Sequence, residues 1–261
     1  MALEFTQATA PTPGGVNEDA VAVGPDFAIV LDGATATGAP TGCIHDVAWY
    51  VRNLTGRLYT KLLASDADLR EIVRSAVAEL VSEHTATCDM TNPDSPSSTV
   101  AMARFRNGLL EVLSLADSPI VVERSDGRID VVVDDRTSHL PSYSRDAVRA
   151  LRNTDEGFWV ASTRPEAADR AVVASVPIDE VRRVAVLSDG ASRLPERYGW
   201  AWSRFLSALA EHGPAHIISE TRSAEQTTAD GAFRGKPHDD ATAVLCTVLP
   251  PGTPSEQAAA G

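Results

Sequence analysis

Five aspartates are notable for where they fall. Asp19 closes the turn Gly14-Gly15-Val16-Asn17-Glu18-Asp19, just before a strand-like pattern. Asp32 follows the apolar run Phe27–Leu31, Asp117 follows Val112–Ala116 and Asp189 follows Val184–Ser188. Asp239, with Asp240, immediately precedes Ala241–Val248. Each acid therefore ends or begins a β-rich run. They are spread widely along the chain, so they can meet only through tertiary folding, at a shared edge of a sheet core. Carboxylates gathered there repel one another and lose hydration, which is tolerated when a cation neutralises them. An all-oxygen donor set suits magnesium, manganese or calcium rather than zinc or copper. Two such ions together lower the pKa of a water and clamp phosphoryl oxygens. For any one acid the alternative is a turn or cap residue, since Asp and Gly favour turns. Five acids at five strand ends are harder to explain that way.

The elements that must position them follow from periodicity. Ile44, Val47, Ala48, Val51, Leu54, Leu58 and Leu62 form an apolar stripe at helical spacing, and Leu69, Ile72, Val73, Ala76, Val77, Leu80 and Val81 form a second. The period then changes. Thr99–Phe105, Leu109–Ala116, Ile120–Arg124 and Ile129–Val133 are short β-rich runs, split by Asn107-Gly108, Asp117-Ser118-Pro119 and Asp126-Gly127. The NG and DG breaks are hairpin signals, so this stretch reads as an antiparallel meander. Further strands are expected at Phe158–Ser162, Arg183–Leu187 and Ala241–Val248, and helices at Arg145–Arg152, Trp200–Glu211 and Pro214–Ser223. Paired helices alternating with runs of strands define an α+β chain with sheets covered by helices. One domain is expected over residues 1–249, followed by a disordered tail at 250–261.

Composition narrows the function. The net charge of −13 disfavours a nucleic-acid binder, which needs a basic face for phosphates. Much of the surplus acid reads as solvated surface. The three cysteines, Cys43, Cys88 and Cys246, are far apart and odd in number, which argues against a disulfide framework or zinc knuckle and for reduced thiols in a cytoplasmic protein. The first residues carry no basic and apolar signal pattern, and no apolar run is long enough to span a membrane.

At these acids the chain resembles the metal-dependent protein phosphatases, the type 2C serine/threonine phosphatases. The resemblance runs in order through Asn17-Glu18-Asp19, Val30-Leu31-Asp32-Gly33, Ser98-Thr99-Val100, Ala116-Asp117-Ser118, Leu187-Ser188-Asp189-Gly190 and Asp239-Asp240-Ala241-Thr242. It covers roughly residues 14–248 and looks like a compact bacterial-type member. It implies a four-layer αββα sandwich of two antiparallel β-sheets flanked by helices. It also implies two Mn2+ or Mg2+ ions at one end, with a third, weaker site. By the resemblance, Asp32 bridges the two metals, the Gly33 carbonyl binds one, and Asp189 and Asp239 hold the other. Asp19, Glu18 and Asp240 support the centre, Asp19 and Glu18 through waters on the metals, while Asp117 serves the third ion. The implied reaction is hydrolysis of phosphoserine or phosphothreonine by a metal-activated water.

Three departures leave other readings open. Gly14 stands where many members carry a phosphate-gripping arginine, which glycine cannot replace. Ala34 follows Asp32-Gly33 where many eukaryotic members have a histidine, and Ala116 begins the Asp117 motif in place of glycine. His45 is a candidate proton donor to the leaving group, or else a solvent-facing histidine at a helix start. Arg193, Lys236 and His238, with nearby Arg234, are candidates for the missing phosphate grip, or else solvated loop charges. Arg222 and Glu225, three apart, read as a surface ion pair. Ser98-Thr99 reads as the start of a buried strand with no catalytic role. A small phosphorylated metabolite is the alternative substrate, and a pseudophosphatase acting as a binding module is the alternative class. No EF-hand loop supports a calcium-binding structural protein. A monomer is expected.

Overall fold

The computed structural model describes residues 2–34, 40–229, 231–233 and 235–250. Two five-stranded sheets, antiparallel throughout, lie face to face. The strands are β1 (Ala2–Ala10), β2 (Ala20–Val23), β3 (Phe27–Leu31), β4 (Gly33–Ala34), β5 (Ser97–Ser98), β6 (Val100–Arg106), β7 (Leu109–Leu115), β8 (Ile120–Arg124), β9 (Ile129–Val132), β10 (Val172–Pro177), β11 (Val181–Leu187) and β12 (Ala241–Leu249). One sheet runs β1-β12-β11-β8-β9, the other β10-β7-β6-β3-β2, and β4 pairs with β5 in a short ribbon. The helices are α1 (Val47–Ala64), α2 (Leu69–His84), α3 (Arg145–Leu151), α4 (Asp189–Arg197), α5 (Trp202–His212) and α6 (Pro214–Gln226).

The layering follows from strands buried on both faces. All five residues of β3 are buried. Phe27, Ile29 and Leu31 point toward α1 and α2, where they join Leu54, Leu58, Val73 and Val77. Ala28 and Val30 point the other way, into an inter-sheet core with Ala101, Val122, Val184, Val186 and Val244. On the far side Ala185, Leu187, Ala243 and Leu245 pack against Phe205, Leu209 and Ile217 of the α5–α6 pair. The alternation of period two thus feeds three apolar interfaces, and the four-layer α–β–β–α sandwich results.

The meander, the two long helices and the final strand lie where the sequence pattern places them. Three details differ. Helix α1 begins at Val47, because the Asp46 side chain caps it by accepting from the Trp49 N–H at 2.7 Å. Ile44 is left outside the helix and exposed. Phe158–Ser162 forms only isolated bridges, Arg152 to Phe158 and Ser98 to Ala161, so it is not a strand. Strands β1 and β10 lie at sheet edges, where the half-exposed pattern dilutes the apolar signal that central strands show. The expected tail, residues 250–261, lies outside the described residues apart from Pro250. Among the described residues, no helix is long and apolar enough to cross a membrane.

Two glycines that follow motif acids, Gly33 and Gly190, stand where distant backbone passes too close for a side chain. Gly33 lies in β4, where a Cβ would stand 2.4 Å from the Glu18 carbonyl oxygen. Gly190 lies in α4, where a Cβ would stand 1.9 Å from the Asp240 carbonyl oxygen. Both glycines let the backbone strands carrying the acids approach closely. Gly190→Ala is expected to cost about 2–3 kcal/mol in urea unfolding. Gly56→Ala, in α1 with nothing within 4 Å of the added carbon, is expected to stabilise by about 0.5–1 kcal/mol in the same measurement.

Candidate metal centre

Strand register brings the acids to one end of the sandwich. Ala20 pairs with Leu31, so Asp19 and Asp32 lie side by side just beyond that pair. Leu187 pairs with Ala243, which sets Asp189 close to the start of β12 and its preceding acids. Asp189 opens α4, and its backbone N–H donates to Asp32 Oδ2 at 3.3 Å. That helix start therefore presents its positive end to the acids.

Hydroxyls hold the scaffold under the carboxylates. The Asp32 N–H donates to Thr99 Oγ1 at 3.1 Å, and the Thr99 N–H donates back to the Asp32 carbonyl at 2.9 Å. The Thr99 hydroxyl in turn meets the Ser118 hydroxyl at 2.6 Å, tying Asp32 to the loop of Asp117. Thr242 Oγ1 donates to Asp19 Oδ2 at 2.7 Å, and Thr137 Oγ1 donates to Asp117 Oδ2 at 3.0 Å. The Thr242 N–H donates to Ser188 Oγ, and the Ser188 N–H donates to the Thr242 carbonyl, both at 2.9 Å. Asp240 is itself a clamp: its carboxylate accepts from the Thr12 N–H at 2.7 Å and the Glu18 N–H at 2.6 Å. It thereby pins the Asn17-Glu18-Asp19 turn to β12.

The acids act on one another electrostatically. Burial, then the charges of Asp19, Asp189, Asp239 and Asp117, hold the Asp32 carboxyl well above its ordinary range. Burial pushes Asp19 up to about 7, even though hydrogen bonds from Thr242 and Ser188 oppose the rise. Burial and Asp189 push Asp117 up to about 6. Asp239 is raised by burial and Asp189, with Lys236 and Arg193 working the other way. Asp19 Oδ1 and Asp189 Oδ1 are buried without a hydrogen-bond partner. Orphaned carboxylate oxygens beside the raised carboxyls of Asp19, Asp32, Asp117 and Asp239 fit hard divalent cations, which would satisfy both the oxygens and the charge.

The basic candidates land differently from one another. Lys236 Nζ donates to Asp239 Oδ1 at 3.1 Å, and its side chain is 52% exposed. Partial burial works against its charge, yet Asp239, Asp32 and Asp189 hold its pKa above the ordinary value. Arg193 is 1% exposed and committed: its guanidinium donates to Glu225 Oε1 at 2.5 Å, the Pro237 carbonyl at 3.1 Å and Asp239 Oδ2 at 3.4 Å. His238 Nδ1 lies 2.8 Å from Glu225 Oε2. Arg222 and Glu225 are no surface pair. The Glu225 side chain is fully buried, and it joins Arg193, His238 and Arg222, the last at 2.9 Å. Arg222 Nη2 also donates to the Asp239 carbonyl at 2.5 Å. Glu225 is thus the hub that fastens the Asp239 segment to α6, so Arg193 and His238 are positioned as struts. Arg234 lies outside the described residues. The His45 ring stacks on Trp49 at 3.8 Å and faces Cys43, Cys88 and His84, away from a role among the acids. Gly14 has φ +76° with open space around it, so the backbone itself disfavours an arginine there. Ala116, where glycine was expected, sits at φ +65°, held by the Asp134 carboxylate accepting from its N–H at 3.1 Å.

Sequence reasoning paired Glu225 with Arg222 but placed the pair on the surface, because helical spacing carries no signal of its burial beside Arg193 and His238. It also assigned no role to the hydroxyls of Thr99, Ser188 and Thr242, although Ser188 and Thr242 stand within three residues of a motif acid.

Residues 10–226 match the family model described as protein phosphatase 2C, and the chain belongs to that family. It is a metal-dependent phosphoric monoester hydrolase of the serine/threonine phosphatase type, a family served by Mn2+ or Mg2+. No match was found among curated proteins. Among solved structures it is similar in fold to the serine/threonine phosphatase PstP/Ppp of Mycobacterium tuberculosis, with 18% identity and a TM-score of 0.61 over 95% of this chain and 99% of that one. Stp1 of Staphylococcus aureus is similar at 13% identity and a TM-score of 0.67, over 96% of each chain. The catalytic domain of PstP in complex with two manganese ions is similar at 18% identity and a TM-score of 0.58, over 95% of this chain and 99% of that one.

The raised carboxylates have a consequence for stability. Their folded pKa values exceed the ordinary 3.8, so their stabilising effect is complete below that pH and is lost as pH rises through about 6 to 7. In chelator, the melting temperature is expected to fall between about pH 5 and about pH 8, and Mn2+ to raise it most at the alkaline end. Asp19→Asn should flatten the profile in chelator, as followed by differential scanning calorimetry.

Proposed function

We propose that this chain hydrolyses phosphoserine and phosphothreonine on proteins at a binuclear Mn2+ or Mg2+ centre. The observation that carries the reading is the convergence of Asp19, Asp32, Asp117, Asp189 and Asp239, with buried orphan oxygens on Asp19 and Asp189. Asp32 and the Gly33 carbonyl, with Asp189 and Asp239, would hold the two ions. Asp19 and Glu18 would hold their waters, and Asp117 would serve a third ion. Bound there, the metals would supply a water of lowered pKa and positive charge for the phosphoryl oxygens.

The chain's own residues account for the rest. Asp32 accepts the Asp189 N–H and is braced by Thr99, so its carboxylate is aimed before any ligand arrives. Asp240 fixes the turn of Glu18 and Asp19, and the Glu225 hub fixes Asp239. Lys236, half exposed beside Asp239, is the cation placed to meet a phosphate dianion where Gly14 offers none. Beyond it lies a cleft of about 410 Å3, lined by Arg197, Tyr198, Phe233, Lys236 and His238 among others, with room for residues flanking a phosphorylated side chain. Arg193 and His238 act in this reading by positioning Asp239 and Lys236.

The test is hydrolysis of p-nitrophenyl phosphate, phosphothreonine peptides and a panel of phosphorylated metabolites, each with Mn2+, Mg2+ or chelator. Peptide turnover that requires metal and falls at least about a hundredfold in Asp32→Asn is the expected outcome. Lys236→Ala is expected to lower kcat/KM for the peptide by roughly tenfold, chiefly through KM. Preference for a metabolite would overturn the substrate assignment. Metal binding without turnover of any phosphoester would make the chain a binding module instead.

A further inference from the structure

The helical side of the molecule holds a second cluster, of different chemistry, which the reading of three scattered cysteines did not anticipate. Cys43 and His45 lie in the segment leading into α1, His84 ends α2, and Cys88 follows in the next turn. One ligand atom from each of the four falls within 4.8 Å of the others. Cys43 Sγ lies 3.5 Å from His45 Nδ1 and 3.4 Å from His84 Nδ1, and Cys88 Sγ lies 3.6 Å from His45 Nδ1. The two sulfurs stand 2.8 Å apart. His84 is 4% exposed, and its Nε2 is buried without a hydrogen-bond partner.

We propose that Cys43, His45, His84 and Cys88 form a structural zinc site that fastens the segment entering α1 to the end of α2. Two sulfurs and two imidazoles are a tetrahedral zinc set, and four protein ligands leave no open position for catalysis. With Zn–S of about 2.3 Å and Zn–N of about 2.0–2.1 Å, the sulfur–nitrogen edges of a tetrahedron are about 3.6 Å. The three sulfur–nitrogen separations lie close to that value. The sulfur–sulfur edge of such a tetrahedron is about 3.8 Å, so the thiols must part by about 1 Å. A disulfide would require them to close to about 2.05 Å instead.

The surroundings are built to hold this geometry. The His45 ring is stacked on Trp49, and Trp49 meets His84 edge-on at 4.8 Å between centroids. The Asp89 N–H donates to the Gly42 carbonyl at 2.8 Å, and Asn92 Nδ2 donates to the Pro40 carbonyl at 2.9 Å. The two cysteine-bearing loops are therefore already docked, and both imidazoles are oriented by packing. On binding, both thiols release their protons to solvent, and the imidazoles bind as neutral rings. Two thiolates then cancel the charge of Zn2+, so a neutral site is left against the apolar stripe of α1 and α2. Soft sulfur and nitrogen donors here, and hard oxygens at the acids, would sort zinc from manganese or magnesium within one chain.

The test reads metal content and spectrum rather than activity, so its failure is separate from failure of the phosphatase reading. Protein purified under nitrogen is dialysed against excess Mn2+ and its zinc is measured by mass spectrometry. About one zinc per chain is expected in wild type and in Asp189→Asn, and none in Cys43→Ser or Cys88→Ser. Cobalt titration of metal-free wild type needs no variant. It should yield the intense visible bands of tetrahedral cobalt and a sulfur-to-cobalt charge-transfer band. Zinc that persists in both cysteine variants, or cobalt without the thiolate band, would overturn the proposal. So would a zinc-free protein two hydrogens lighter than the reduced chain, with Cys43 and Cys88 joined as a disulfide.

Discussion

Repulsion among partly buried carboxylates is the constraint around which this molecule is arranged. Asp32 lies within reach of the charges of Asp19, Asp117, Asp189 and Asp239, and each raises its pKa further beyond what burial does. Without counter-charge, such a group is stable only when protonated or held by force. The architecture supplies the force: the acids sit at strand ends whose register is set by hydrophobic faces on both sides of each sheet. A slip of one residue in β3 would exchange the helix-facing and inter-sheet-facing sets, so the position of Asp32 is as firmly specified as the core itself.

A second tier of contacts converts that approximate placement into a defined site. Thr99, Ser118, Ser188 and Thr242 are buried hydroxyls that join one acid-bearing segment to the next. Asp240 spends its carboxylate on two backbone N–H groups, and Glu225 gathers two arginines and a histidine behind Asp239. Among the described residues Arg193 is buried and structural, and the exposed Lys236 is a cation beside Asp239. Where Gly14 removes an expected arginine, a cation from a different segment stands beside the centre.

The protein thus separates two kinds of side-chain chemistry in space. Oxygen donors collect at the end of the sandwich, while sulfur and imidazole donors collect where α1 and α2 meet the loops flanking them. The two regions are connected through the short run from Gly33 to Cys43, part of which lies outside the described residues.

The sequence by itself determined the elements whose signals are local. The fully buried β3, the stripes of α1 and α2, the meander from β6 to β9 and the strand β12 are legible because apolar period is a property of neighbouring residues. The acids were legible as a set because each ends or begins a β-rich run. Edge strands β1 and β10 were not, since half their residues face solvent. Nor was the reason for Gly33 and Gly190, which lies in backbone from distant segments passing too close for a Cβ. Only the tertiary structure decided that Arg193 is a strut, that Glu225 is a hub and that His45 belongs with Cys43, Cys88 and His84. Residue type and spacing specify what a side chain can do. What it faces depends on packing between segments far apart in the chain, and no local pattern encodes that.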